Sequence, residues 1–134
     1  MIKYICLILF LIEILISQQS PWEELVIPNP NSGVFQGRLQ LNGNNLLESD
    51  WIGAFDEDNN CAGAGPTWMI DGDSYINIPI YGDDSTSPDV DEGVDSGESF
   101  FIKLWISSLD LIIEYPESFD CWNNQFGAPM TECG

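Results

Sequence analysis

An all-β domain, folded as a two-sheet antiparallel β-sandwich, is what this sequence predicts, and three observations predict it. Short runs place apolar side chains at every second position. Gly, Pro, Asn and Asp interrupt those runs at turn-like intervals. No stretch of about ten residues after the leader carries a helical period. About seven such strands suit a sandwich, in either an immunoglobulin-like or a jelly-roll order.

The strands fall in order at Leu25–Ile27, Val34–Leu41, Trp51–Asp56, Thr67–Ile70, Ser74–Tyr81, Ser99–Ser107 and Leu111–Tyr115. In the second, Phe35, Leu39 and Leu41 share a face opposite Gln36, Arg38 and Gln40. Ile76, Ile78 and Ile80 line one face of the fifth, and Phe100, Ile102, Leu104 and Ile106 one face of the sixth. Because side chains alternate across a strand, these sets define the core. Trp51 and Trp68 are assigned to it as well. Asn42-Gly43 and Asp71-Gly72 are hairpin signals, and Pro28–Gly33 is a turn cluster.

The start of the chain differs from the rest of its 134 residues. Lys3 precedes an apolar run, Ile5–Ile16, broken only by Glu13, and Ser17 offers a small residue for cleavage. This is the pattern of a secretory signal peptide over residues 1–17, too short for the roughly 20 apolar residues of a membrane span. Residues 18–134 then form one sandwich domain, with no membrane insertion after cleavage, at home in an oxidising extracellular or cell-surface setting.

Three bases less Lys3, and 22 acids less Glu13, leave two and 21, so the mature net charge stays at −19. A chain so acidic repels phosphate backbones and anionic headgroups, which excludes nucleic acid and membrane surfaces as partners. With 44% hydrophobic residues, five Trp and seven Phe, it still has a core to pack. There is no histidine, hence no Ser-His-Asp triad and no HExxH metal site. Glycoside hydrolysis needs only two acids, but acids this abundant single out no pair. The expectation is a non-enzyme.

Cys121 and Cys133 bracket a compact Gly/Pro-containing segment and are the expected disulfide, closing the C-terminal part of the domain. Cys61 is then left over, either as a buried thiol or paired within the domain or to another chain. Residues 82–98 form a long loop with seven acids. Within it Asp89, Asp91, Asp95 and Glu98, with Gly93 among them, are candidate Ca²⁺ ligands, because hard carboxylate oxygens converging through a glycine turn suit that ion. Solvated charge is the alternative. Asp56–Asn60 is a second, weaker acidic candidate.

Phe101, Lys103 and Trp105 fall on the face opposite the core set. Phe101 and Trp105 are candidates for stacking on polysaccharide, or for cover by a strand, a loop or a neighbouring subunit. Ser20–Ile27, with Trp22, Leu25, Val26 and Ile27, is a short β-prone segment behind a flexible hinge. It either completes its own sheet or pairs with the edge of a neighbouring copy and builds filaments.

Five stretches together carry a family resemblance: Asn31–Gly37; Asp50-Trp51-Ile52-Gly53-Ala54-Phe55-Asp56 with Asn60-Cys61-Ala62-Gly63-Ala64; Ile80–Asp84; Gly97-Glu98 into Phe101–Trp105; and Glu117–Trp122. Over residues 26–134 the chain resembles a β-rich module that recurs in exported and cell-surface multidomain proteins of Bacteroidota, often beside a type IX sorting domain. The resemblance implies a surface or secreted module and brings no catalytic residues. The chain reaches Gly134 without such a sorting domain, so a stand-alone subunit and a longer reading frame both fit. The functions expected are a structural or adhesive module, joining copies of itself or neighbouring extracellular domains in a filament or surface layer, or else a carbohydrate-binding module. N-terminal sequencing of the natural protein is expected to begin at Gln18 or its pyroglutamate; a retained Met1 would refute the leader.

Overall fold

The structure, a computed structural model, describes residues 19–133; the leader expected over residues 1–17 lies outside the described residues. The elements are β1 (Ser32–Arg38), β2 (Gln40–Leu41), β3 (Asn44–Asn45), β4 (Trp51–Phe55), β5 (Cys61–Pro66), β6 (Trp68–Ile70), β7 (Asp73–Tyr81), β8 (Phe100–Ile106), β9 (Leu111–Phe119) and a closing 3₁₀ turn, Thr131–Cys133. No helix among the described residues is long and apolar enough to cross a membrane. The fold is all-β and its sheets are antiparallel. One sheet has the order β1-β7-β6, the other β5-β4-β8-β9, and β2-β3 is a separate hairpin.

Alternation explains the two best-formed strands. Along β7 every second residue is buried, and Ile76, Ile78 and Ile80 point inward with Phe35 of β1 and Phe100, Ile102 and Leu104 of β8. Phe35 meets Phe100 and Phe119 edge-on, at 5.5 and 5.1 Å between ring centres. Both hairpin signals are realised, with positive φ at Asn42 and Gly43 and again at Asp71 and Gly72, the geometry that matches strand twist.

Along β5 the sheets come closer than side chains allow. A Cβ on Gly63 of β5 would stand 2.1 Å from the carbonyl oxygen of Pro79, and one on Gly65 2.9 Å from the Ile78 side chain. The Cys-Ala-Gly-Ala-Gly run is therefore a strand whose small residues let β5 lie directly on β7. Its composition is poor in β-formers, and it is missing from the expected strands for that reason.

Two further expectations are corrected. Leu25–Ile27 is not a strand: the chain turns after Trp22, whose carbonyl accepts the Leu25 N–H at 3.0 Å. Trp68 is not core, since the short strand β6 leaves it half exposed.

The expected Cys121–Cys133 disulfide is present. It closes a tail that runs alongside β1. Val34 donates its N–H to Ala128 O at 3.0 Å, and Met130 donates to Val34 O at 2.9 Å. Trp122 is buried and donates Nε1–H to Ile80 O at 3.0 Å. Cys61 is a buried free thiol, held by burial up to about 11. Gly63→Ala is expected to cost roughly 2–3 kcal/mol by overpacking, whereas Gly37→Ala, with open space around the added methyl, leaves stability nearly unchanged; chemical denaturation of the two variants checks the contrast.

Candidate functional site

Three surface features stand out on this frame: an acidic junction between two loops, a shallow aromatic depression, and an apolar groove along one side of the sandwich.

The junction forms because the long loop is anchored rather than loose. Val94 is fully buried, and its N–H donates to Tyr81 O at 3.0 Å. Glu92 is buried too; it accepts the Asp84 N–H on Oε2 at 3.2 Å, while its own N–H donates to Asp83 Oδ1 at 3.2 Å. Glu98 holds the two loops together. Its Oε1 accepts the Glu57 N–H at 3.0 Å and its Oε2 the Asp95 N–H at 2.8 Å. In return Glu57 Oε1 accepts the Ser99 N–H at 3.1 Å. The segments 56–60 and 82–98, separate in sequence, are thus one surface.

Of the four proposed calcium ligands, the structure commits Glu98 to backbone amides, leaves Asp89 exposed and caps the Asp95 turn with Glu98. It sets Asp91 beside Asp58 of the other loop. Partial desolvation, the charge of Asp56, a hydrogen bond with Asp58 and the charges of Asp83 and Asp58 together raise Asp91 to about 6. Among the described residues no three His, Cys, Asp or Glu side chains are gathered around one point as metal ligands. The contact between Asp91 and Asp58 joins the stronger and weaker acidic candidates, and no local pattern announces it. Asp56 is buried, with its oxygens taken by Asn60 at 2.8 and 3.1 Å.

The aromatic face differs from expectation at one residue. Trp105 is buried, only 2% exposed, beneath Trp22, with Phe55 and Cys61 in the same cluster, and it donates Nε1–H to Asp110 Oδ1 at 2.8 Å. The cover is the N-terminal segment. The ring of Trp22 sits over Gly53, where a Cβ would come within 2.8 Å of it, and meets Phe55 edge-on. Trp22 is therefore fixed on its own domain, with Val26 half-buried beside it and Leu25 and Ile27 exposed. A Phe101–Trp105 stacking platform does not exist. Phe101 remains 39% exposed, and a depression of about 200 Å³ beside it includes Tyr115, Asn59, Glu57 and Lys103. Lys103 lies 4.4 Å over the Phe55 ring and reaches Asn59 Oδ1 at 2.9 Å and Glu114 at 3.5 Å.

The groove, of about 500 Å³, runs between β1–β2 and β9, the open edges of the two sheets. Phe35, Leu39, Ile102 and Leu104 line its depth, and Ile113 and Tyr115 its rim. The disulfide-closed tail covers β1 only as far as Val34, and the groove begins beyond it. No sequence pattern marks this feature, because it depends on which strands end up at the edges.

No family model matches the chain, and no curated protein or solved structure shows significant similarity to it.

Asp91 binds its proton more tightly in the fold than in the unfolded chain. Its stabilising contribution is therefore full below pH 3.8 and lost as pH rises through about 6. Titration followed by carboxyl NMR is expected to place Asp91 near 6, and lower in Asp58→Asn. Asp91→Asn is expected to gain roughly 0.3 kcal/mol above pH 7, a small amount because the carboxyl is exposed. An Asp91 that titrates as an ordinary carboxyl would show that it does not meet Asp58.

Proposed function

We propose that this chain is a secreted, non-enzymatic structural or adhesive module, which works at the cell exterior by joining copies of itself or neighbouring extracellular domains. The observation that carries the reading is the apolar groove at the open side of the sandwich. A domain that has buried its interior elsewhere keeps a long apolar channel between two free strand edges, a shape suited to another chain. The disulfide fits an oxidising exterior. The resemblance to Bacteroidota surface modules supports the same setting.

Calcium belongs to this reading as a weak ligand. Asp58 and Asp91 place two carboxylates in contact, and a divalent ion with water and carbonyl oxygens completing its shell would relieve their repulsion. Such sites in extracellular modules bind in the range of about 10⁻⁴–10⁻³ M. A second reading, carbohydrate binding, is favoured by the depression at Phe101 and Tyr115, where aromatic rings adjoin Asn59, Glu57 and Lys103 as hydrogen-bonding groups for sugar hydroxyls.

The reading is tested in cells that make the protein. A strain lacking it is expected to lose cohesion or surface attachment. Purified protein with millimolar Ca²⁺ restores it, and the same protein with chelator restores it less. Unchanged attachment in the deletion strain overturns the adhesive reading. Retention on immobilised polysaccharide that disappears in Phe101→Ala/Tyr115→Ala, with cohesion untouched, decides for the carbohydrate reading.

A further inference from the structure

We infer that the groove accepts an extended segment of a different chain, one that carries apolar side chains at alternate positions between basic flanks, and that this segment adds to β1 as a strand beyond the protein's own tail. The inference rests on the joining function proposed above and names its partner.

The backbone geometry comes first. Val34 turns both its N–H and its C=O away from β7 and onto the tail, at Ala128 and Met130. In an antiparallel ladder the outward-facing residues alternate. Leu39 confirms the phase, since its N–H donates inward to Ser74 O at 2.9 Å. Gln36 and Arg38, opposite Asn77 and Tyr75 in register, therefore face outward like Val34. The tail meets Val34 in a parallel bridge with Pro129 and then turns into the Thr131–Cys133 3₁₀ turn, with Cys133 at the groove. The edge is thus already used by an extended segment over its first half and continues uncovered over its second.

The other wall is guarded. Pro116 interrupts the donors of β9, Glu114 and Glu117 charge it, and a bulge breaks its pairing with β8 between Phe101 and Lys103. These are the devices that discourage strand addition. β1 has neither a proline nor a bulge at Gln36–Arg38, and its one charge there, Arg38, is drawn back onto Asp73 of β7, so the incoming strand belongs on β1, with alternate side chains pointing into the channel over Leu39, Ile102 and Leu104.

Charge selects the partner. After the leader the chain has 21 acids against Arg38 and Lys103, and both of those cations are already paired with acids, Asp73 and Glu114. A second copy would bring the same excess of negative charge to the contact, whereas a strand with basic flanks is attracted to it.

The test uses the chain from Gln18 onward, labelled with ¹⁵N, and synthetic peptides of about ten residues that alternate isoleucine and threonine between terminal lysines. Glutamate-flanked and sequence-scrambled peptides serve as controls. The lysine-flanked peptide is expected to shift the Gln36 and Arg38 amides and to bind roughly tenfold more weakly at 0.5 M than at 0.05 M NaCl. Gln36→Pro, which removes one outward donor while leaving the β7 ladder intact, is expected to weaken it at least tenfold with an unchanged near-UV spectrum. Equal binding of lysine- and glutamate-flanked peptides overturns the basic partner and leaves the joining reading standing. Shifts at these amides that grow with protein concentration alone assign the groove to a second copy and overturn the partner. No shift there with any peptide overturns the groove as an acceptor, and loss of cohesion in the deletion strain would then place the joining elsewhere on the surface.

Discussion

The contact of β5 with β7 is the constraint on which the rest of the architecture hangs. At Gly63 the strand lies so close to the Pro79 carbonyl that no side chain fits between them. That approach brings the two sheets together and puts Ala62 beside Ile78 and Ile80 in the core. With β5, one edge of its sheet, laid on β7, the middle strand of the other, the edges β1 and β9 are left to diverge. The groove is the geometric complement of the tight contact: sheets drawn together at β5 and β7 part toward β1 and β9 unless something fills the gap. The tail fills half.

Around this contact, other residues singled out in the sequence hold the frame. Asp50 is buried, accepting the Leu47 and Ser107 N–H groups at 2.9 and 3.0 Å. Asp56 holds the turn to Asn60, Gly53 seats the Trp22 ring, and Trp122 is bonded to Ile80. Each has a structural duty inside the fold. Residues of this kind hold the architecture together and perform no chemistry of their own.

How much of this was legible in the sequence follows from the range of each interaction. β7 and β8 were legible because alternation is local and each has one buried face. The hairpins at Asn42-Gly43 and Asp71-Gly72 were legible because left-handed backbone conformations demand those residues. β5 was not, because a strand packed by its backbone has no need of β-branched side chains. For Trp105, alternation gave the correct face and the wrong environment: period two says which way a side chain points and nothing about what lies above it. The meeting of Asp91 with Asp58, and the exposure of the groove, depend on pairings far apart in the chain and leave no local trace. Cys121 and Cys133 were legible because their spacing and the two turn-forming residues between them define a closable loop.

That closure has a mechanical consequence. A pull transmitted into the domain from beyond Cys133 does not have to travel through residues 122–132. It passes across the covalent bridge to Cys121 and from there directly into β9. The tail, with its hydrogen bonds to β1 and the buried ring of Trp122, is therefore shielded from tension, and the load falls first on the ladder between β9 and β8. A sandwich stapled in this way keeps the covered half of its open flank under force and would yield at the strand that forms the other wall of the groove.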